Sequence, residues 1–178
     1  MNIFVLDTDP IKAAHMHCDQ HLNKMILESA QMLSTWAYTA FPKTRSFIYK
    51  PSYENHPCTV WLKKSTDNRI WTILLANSLN NLRENQGYTR HSSMDIIDIC
   101  EDCIGHKDFP DLYTPPQMWE FCGPLQYKLR PDLTIPQKYQ LYYRQKYKQW
   151  LDTPRPMSYK NRPIPAFLAD LPNIEGIK

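Results

Sequence analysis

The chain has 178 residues, 42% hydrophobic and 12% aromatic, a length and balance that suit one globular domain with its own core. Only 4 glycines stand against 15 prolines, and neither GxGxxG nor GxxxxGKS/T occurs, which excludes nucleotide binding through a glycine-rich phosphate loop. A net charge of +3 is below what a stripe gripping a long duplex usually carries, and the longest apolar run is far short of a membrane span.

In chain order, residues 2–6 (NIFVL) form an apolar segment too short to be a helix. Asp9 as N-cap and Pro10 at the first helical position then predict a helix from residue 11 to about 38, a stretch free of Gly and Pro. Its apolar residues Ile11, Ala14, Cys18, Leu22, Met25, Met32 and Trp36 fall on one face, and Met16, Ile26, Leu27 and Leu33 extend that character around the helix, which predicts a largely buried element. An irregular aromatic stretch follows to Pro57, then a short helical piece over 57–64. Ser65, Thr66 and Asp67 are capping residues for a second major helix over 68 to about 85, with Ile70, Trp71, Leu74, Leu75, Ser78 and Leu82 inward and Gly87 as its C-terminal glycine. A third helix is predicted over 92–104, an irregular stretch over 106–136, and a Tyr- and Lys-dense helix from Thr134 and Pro136 to about 151. The Pro-rich tail offers one turn around 166–169. The expected fold is therefore mainly α: one compact helical domain over 1–178, built on a long buried N-terminal helix, with irregular Pro-rich C-terminal connections.

On the first helix His17, His21, Lys24 and Glu28 are spaced four, three and four apart, which lines their side chains along one face, with Gln31 and Thr35 extending the line. An imidazole, an ammonium and a carboxylate within a few turns can do general acid–base work. The competing reading is a solvated helix face with Lys24–Glu28 as a weak surface pair. On a helix apolar over most of its circumference, such a file must be satisfied by partners or face a cavity.

Asp19-Gln20-His21-Leu22, followed after five residues by Glu28, resembles the N-terminal helix of the phage pyrimidine-dimer DNA glycosylases of the endonuclease V type. Tyr53-Glu54-Asn55-His56-Pro57 is similar to the Tyr-x-x-His-Pro segment of bacterial relatives, and Gln86-Gly87-Tyr88 to their Arg-Gly-Tyr. The resemblance covers residues 1–90 and leaves 91–178 as an unmatched extension. It implies a phage protein in the host cytoplasm, acting on DNA or a nucleotide, with no cofactor and no membrane partner. In that family the N-terminal α-amine attacks the sugar C1′ and displaces the base, and the glutamate stabilises the cationic sugar. The resemblance gives Glu28 the glutamate's role and His21 a phosphate-contacting one, with His17, Tyr53, Asn55 and His56 beside the substrate. Asn2 stands where the family exposes a small residue, so Met1 would supply the amine, and Leu27 stands where the family carries an arginine. Lys24 is a second amine if burial lowers its pKa. These departures leave open a non-catalytic protein that sequesters a nucleotide in the same pocket.

The odd count of five cysteines, with no signal peptide at the start, predicts reduced thiols in a cytosol. His17 and His21 have the spacing of a helical metal pair but would need a further ligand from afar, such as His56. Cys100-x-x-Cys103-x-x-His106 is half of a zinc pattern that Cys58 or Cys122 would have to complete, and two part-buried thiols on a helix is the favoured reading; no metal is expected. Tyr139, Tyr142, Tyr143, Tyr147 and Trp150, interleaved with Lys138, Arg144, Lys146 and Lys148, suit either nucleic-acid stacking or, in the favoured reading, an amphipathic helix whose aromatics are core.

Overall fold

The computed structural model describes residues 2–104, 119, 121–150, 153 and 157–177, so Met1 and His106 lie outside the described residues. The fold is mainly α, as the patterning predicts. Asp9 accepts hydrogen bonds from the Ile11 and Lys12 amides and opens α1 (Pro10–Met16). The long helix expected to continue from there is instead two, because the backbone turns extended at His17 (ψ 136°) and Cys18 (ψ 164°) before α2 (Asp19–Ala40) begins.

The break is made by residues remote in sequence. A helix interrupted at this point leaves carbonyls without intrahelical partners. The Tyr159 hydroxyl donates to the Met16 carbonyl (2.9 Å), and the Arg162 guanidinium donates to the carbonyls of His17 (2.9 Å) and His15 (3.3 Å). The Cys18 amide donates to the Tyr143 hydroxyl (3.1 Å). Local periodicity cannot report partners that far along the chain.

The next two helices start where their caps lie. His56 caps α3 (Pro57–Lys64), and the Ser65 side chain accepts the Asn68 amide at the head of α4 (Thr66–Asn85). Gly87, at φ +87°, donates to the Glu84 carbonyl (2.8 Å) while the Tyr88 amide reaches back to Arg83 (3.3 Å), a left-handed stop that favours glycine. The buried stripe of α4 is rotated from expectation. Trp71, Leu75 and Leu82 are inside, but Ile70 and Leu74 are exposed, and Asn68, Thr72, Ala76 and Leu79 are buried. Polar residues can hold those positions because Asn68 donates to the Trp61 carbonyl (2.7 Å) and Thr72 to the Asn68 carbonyl (2.9 Å).

Beyond α5 (Ser93–Ile104), a short α6 (Leu125–Lys128) occupies part of the stretch expected to be irregular, and α7 (Ile135–Trp150) buries Tyr139, Tyr143 and Tyr147 completely. The tail is also more ordered than expected: β1 (Ser158–Pro163) and β2 (Glu175–Ile177) pair in parallel around a 3-10 turn at Ala166–Leu168. Gly176 lies close against β1, where an added Cβ would stand 3.1 Å from the Tyr159 Cβ and 3.2 Å from the Arg162 carbonyl. The N-terminal segment Ile3–Leu6 is at most 3% exposed, and a hydrophobic cluster runs from it to Ile174. No helix among the described residues is long and apolar enough to cross a membrane.

Candidate functional site

The apolar N-terminal segment runs into the core beside α2 and α7, so the polar file of α2 meets the beginning of the chain. Phe4 is the pivot. Its ring stacks on His21 (5.1 Å between centroids) and meets Tyr139, Tyr142 and Tyr143 edge-on or tilted at 5.4–5.9 Å. Two residues earlier, the Asn2 amide donates to Glu28 Oε2 at 2.6 Å. The Asn2 side chain donates to the Cys122 carbonyl (2.8 Å) and accepts from Cys58 Sγ and the Tyr139 hydroxyl, both at 3.4 Å. Glu28 thus stands beside the start of the chain, with a side chain 12% exposed and Lys24 Nζ 4.0 Å away.

The residues of the polar file divide into two groups. His17 and His21 are buried. The Nδ1–H of His17 donates to the Ala13 carbonyl (2.6 Å), and its Nε2 has no hydrogen-bond partner among the described residues. Burial pushes its pKa down to about 4, and His21, which shares a hydrogen bond with the Tyr143 hydroxyl (2.5 Å), is pushed well down for the same reason. Both are neutral imidazoles walled in by aromatic rings. His17 has also left the helical register, since it caps α1 rather than belonging to α2. Lys24 lies towards solvent, and Glu28 is largely buried beneath it. The Lys24 side chain is 58% exposed, so the burial on which its service as a neutral amine depends is absent.

His56, Tyr53 and Asn55 are placed by the turn before α3. Tyr53 adopts a left-handed φ of 51°, and the His56 amide donates back to its carbonyl (2.9 Å). This directs Tyr53, 72% exposed, outwards with Asn55, while His56 is half-buried near Cys58. Burial lowers the His56 pKa, and the charge of Glu28 opposes that shift. Cys58 and Cys122 face each other at 2.9 Å between sulfurs, and the Cys58 thiol is pushed up by its bond to Cys122 and by burial. Sequence reading assigned neither cysteine to this site. The available signal was local, a histidine and a cysteine flanking Pro57 at a helix start, but Cys122 comes from 64 residues away.

Asp19 and Gln20, which carry half of the resemblance motif, serve the tail. Asp19 accepts from Arg162 (2.7 Å), Gln86 (2.6 Å), the Ser158 hydroxyl (2.9 Å) and the Lys160 amide (2.8 Å). Burial works to raise its pKa, but these donors together hold the carboxyl below the usual carboxylate range. Gln20 accepts from the Ser158 amide (3.3 Å). Cys100 and Cys103 are buried on α5, and the third member of their pattern, His106, lies outside the described residues. Tyr139, Tyr143 and Tyr147 are core, so those rings offer no stacking platform. No family model, curated protein or solved structure matches this chain.

Proposed function

We propose that the protein is an enzyme that cleaves an N-glycosidic bond in DNA or a nucleotide, with Glu28 as its acid–base and charge-stabilising group and the N-terminal amine as nucleophile. The observation that carries this reading is the 2.6 Å hydrogen bond between the Asn2 amide and Glu28, which brings the first residues of the chain to a largely buried carboxylate. In the proposed reaction the amine nitrogen bonds to the sugar C1′ as the C1′–base bond breaks, and the base leaves with the bonding electrons and takes up a proton. Loss of the amine proton and opening of the sugar ring then yield a Schiff base. Near neutral pH part of an α-amine is unprotonated, since its reference pKa is about 7.7–8.0. Glu28 offsets the developing positive charge on the sugar. The five free thiols suit a reducing cytoplasm, that of the host if the protein is phage-encoded.

Borohydride trapping on uracil-, abasic- and thymine-dimer-containing DNA tests this directly. A covalent adduct is expected with at least one substrate and should vanish when the N-terminus is extended. An adduct that survives the extension removes the amine from the mechanism.

A second reading, retention of an intact nucleotide, is favoured by the burial of Tyr139, Tyr143 and Tyr147, which leaves the basic α7 without those rings to stack along a strand. Recovery of an uncleaved ligand from the purified protein supports it, and a cleaved ligand excludes it.

A further inference from the structure

The geometry points to a transition-metal site formed by His56, Cys58 and Cys122, suited above all to Zn(II). One ligand atom from each lies within 4.8 Å of the other two, and the set joins the head of α3 to the segment before α6. One imidazole and two sulfurs are a donor set that selects Zn(II) and related thiophilic ions over Mg²⁺ or Ca²⁺. These are the only three metal-capable groups found so close together among the described residues.

Loading requires a small rearrangement. Tetrahedral zinc with Zn–S bonds near 2.3 Å holds two thiolates about 3.8 Å apart. The sulfurs now stand at 2.9 Å, so they must part by about 1 Å. Cys122 is the half-exposed member and sits in a segment without regular structure, so it is the side chain with room to turn. The His56 Nδ1 presently accepts a long 3.3 Å bond from the Cys58 amide, which a metal at that nitrogen would replace. A disulfide would use the same two sulfurs but would need them to close to about 2.05 Å, and it would give His56 no part.

Three protein ligands leave a fourth position for water or substrate, the pattern of reactive rather than purely structural zinc sites. Asn2 lies against this set, with its Oδ1 touching Cys58 Sγ at 3.4 Å and its amide held by Glu28. A metal here would pin Asn2, α3 and the Cys122 segment together beside the Glu28 carboxylate. The inference does not depend on glycosidic cleavage.

The test is a Co(II) titration of the reduced wild-type protein, with zinc content measured after purification without chelators. One ion per chain is expected, with thiolate-to-cobalt charge-transfer absorption that zinc abolishes. Cys58→Ser and Cys122→Ser should lose that absorption, while Cys100→Ser and Glu28→Gln keep it. If the serine variants fail to fold, the wild-type titration together with Cys100→Ser still decides. The proposal is overturned by absence of thiolate absorption in the wild type, by its persistence in folded Cys122→Ser, or by a Cys58–Cys122 disulfide in freshly purified protein. Borohydride trapping can fail while cobalt binds, and the reverse, so the two readings fall separately.

Discussion

At the head of α2, Asp19 gathers four hydrogen bonds from Gln86, Ser158, Lys160 and Arg162, whereas further along the same helix Glu28 takes the Asn2 amide and faces an exposed lysine at 4.0 Å. Both are carboxylates on one helix, and the resemblance motif contains both. The two side chains are about equally buried, so the difference lies in their partners: the first is surrounded by donors that fix the tail to the helix break, and the second takes one amide from the chain start. A charge committed to many internal partners is a structural latch. Glu28, with fewer partners and an imidazole and two thiols nearby, is the carboxylate to which the proposal assigns chemistry.

The contrast is sharpest if each carboxylate's network is broken separately. Arg162→Ala leaves Asp19 buried without its cation and frees the carbonyls of His15 and His17, and should cost about 4 kcal/mol in chemical denaturation. A loss below about 1 kcal/mol would mean that the latch is ornamental.

Acid should weaken the same region next. His17 has an ordinary pKa of 6.5 and a folded value of about 4, so between them the unfolded chain binds a proton that the folded chain refuses. The stabilisation is complete above about pH 6.5 and is lost as pH falls towards 4, amounting to about 3 kcal/mol for His17 alone. His21 acts in the same direction, because its pKa is also depressed by burial. Denaturation curves across this range should show the decline, and His17→Gln should flatten it. Unchanged stability down to pH 4 would contradict the buried neutral imidazoles.

A smaller effect is expected from Tyr143→Phe, which removes the hydroxyl serving both the Cys18 amide and His21 and should cost about 2 kcal/mol. Smallest of all is Lys24→Ala, an exposed i,i+4 partner whose loss should change stability by less than about 0.5 kcal/mol. A large loss there would make Lys24 part of the frame.

The latch and the proposed working cluster differ in how far sequence reveals them. Helix ends were legible wherever a cap is local: Asp9-Pro10 and Ser65 at starts and Gly87 at a stop each act within a few residues of where they stand. The helix break at His17 and Cys18 was not, because its partners are Tyr143, Tyr159 and Arg162, more than a hundred residues downstream. The rotation of the α4 stripe was hidden for a related reason, since Asn68 and Thr72 become buriable only once Trp61 and their own helix supply acceptors. Glu28 was singled out by resemblance and spacing, but its contact with Asn2 depends on Phe4 threading between α2 and α7. His56 and Cys58 are neighbours in sequence, while Cys122 joins them only through the tertiary fold.

The central claim, that Glu28 belongs to the working site and not to the frame, is tested most directly by adduct yield on abasic DNA in Glu28→Gln, measured with its denaturation curve. The account predicts loss of the adduct with stability within about 1 kcal/mol of the wild type, because the near-isosteric Gln keeps a side-chain oxygen that can accept the Asn2 amide. An undiminished adduct, or one lost only in proportion to unfolding, would contradict it.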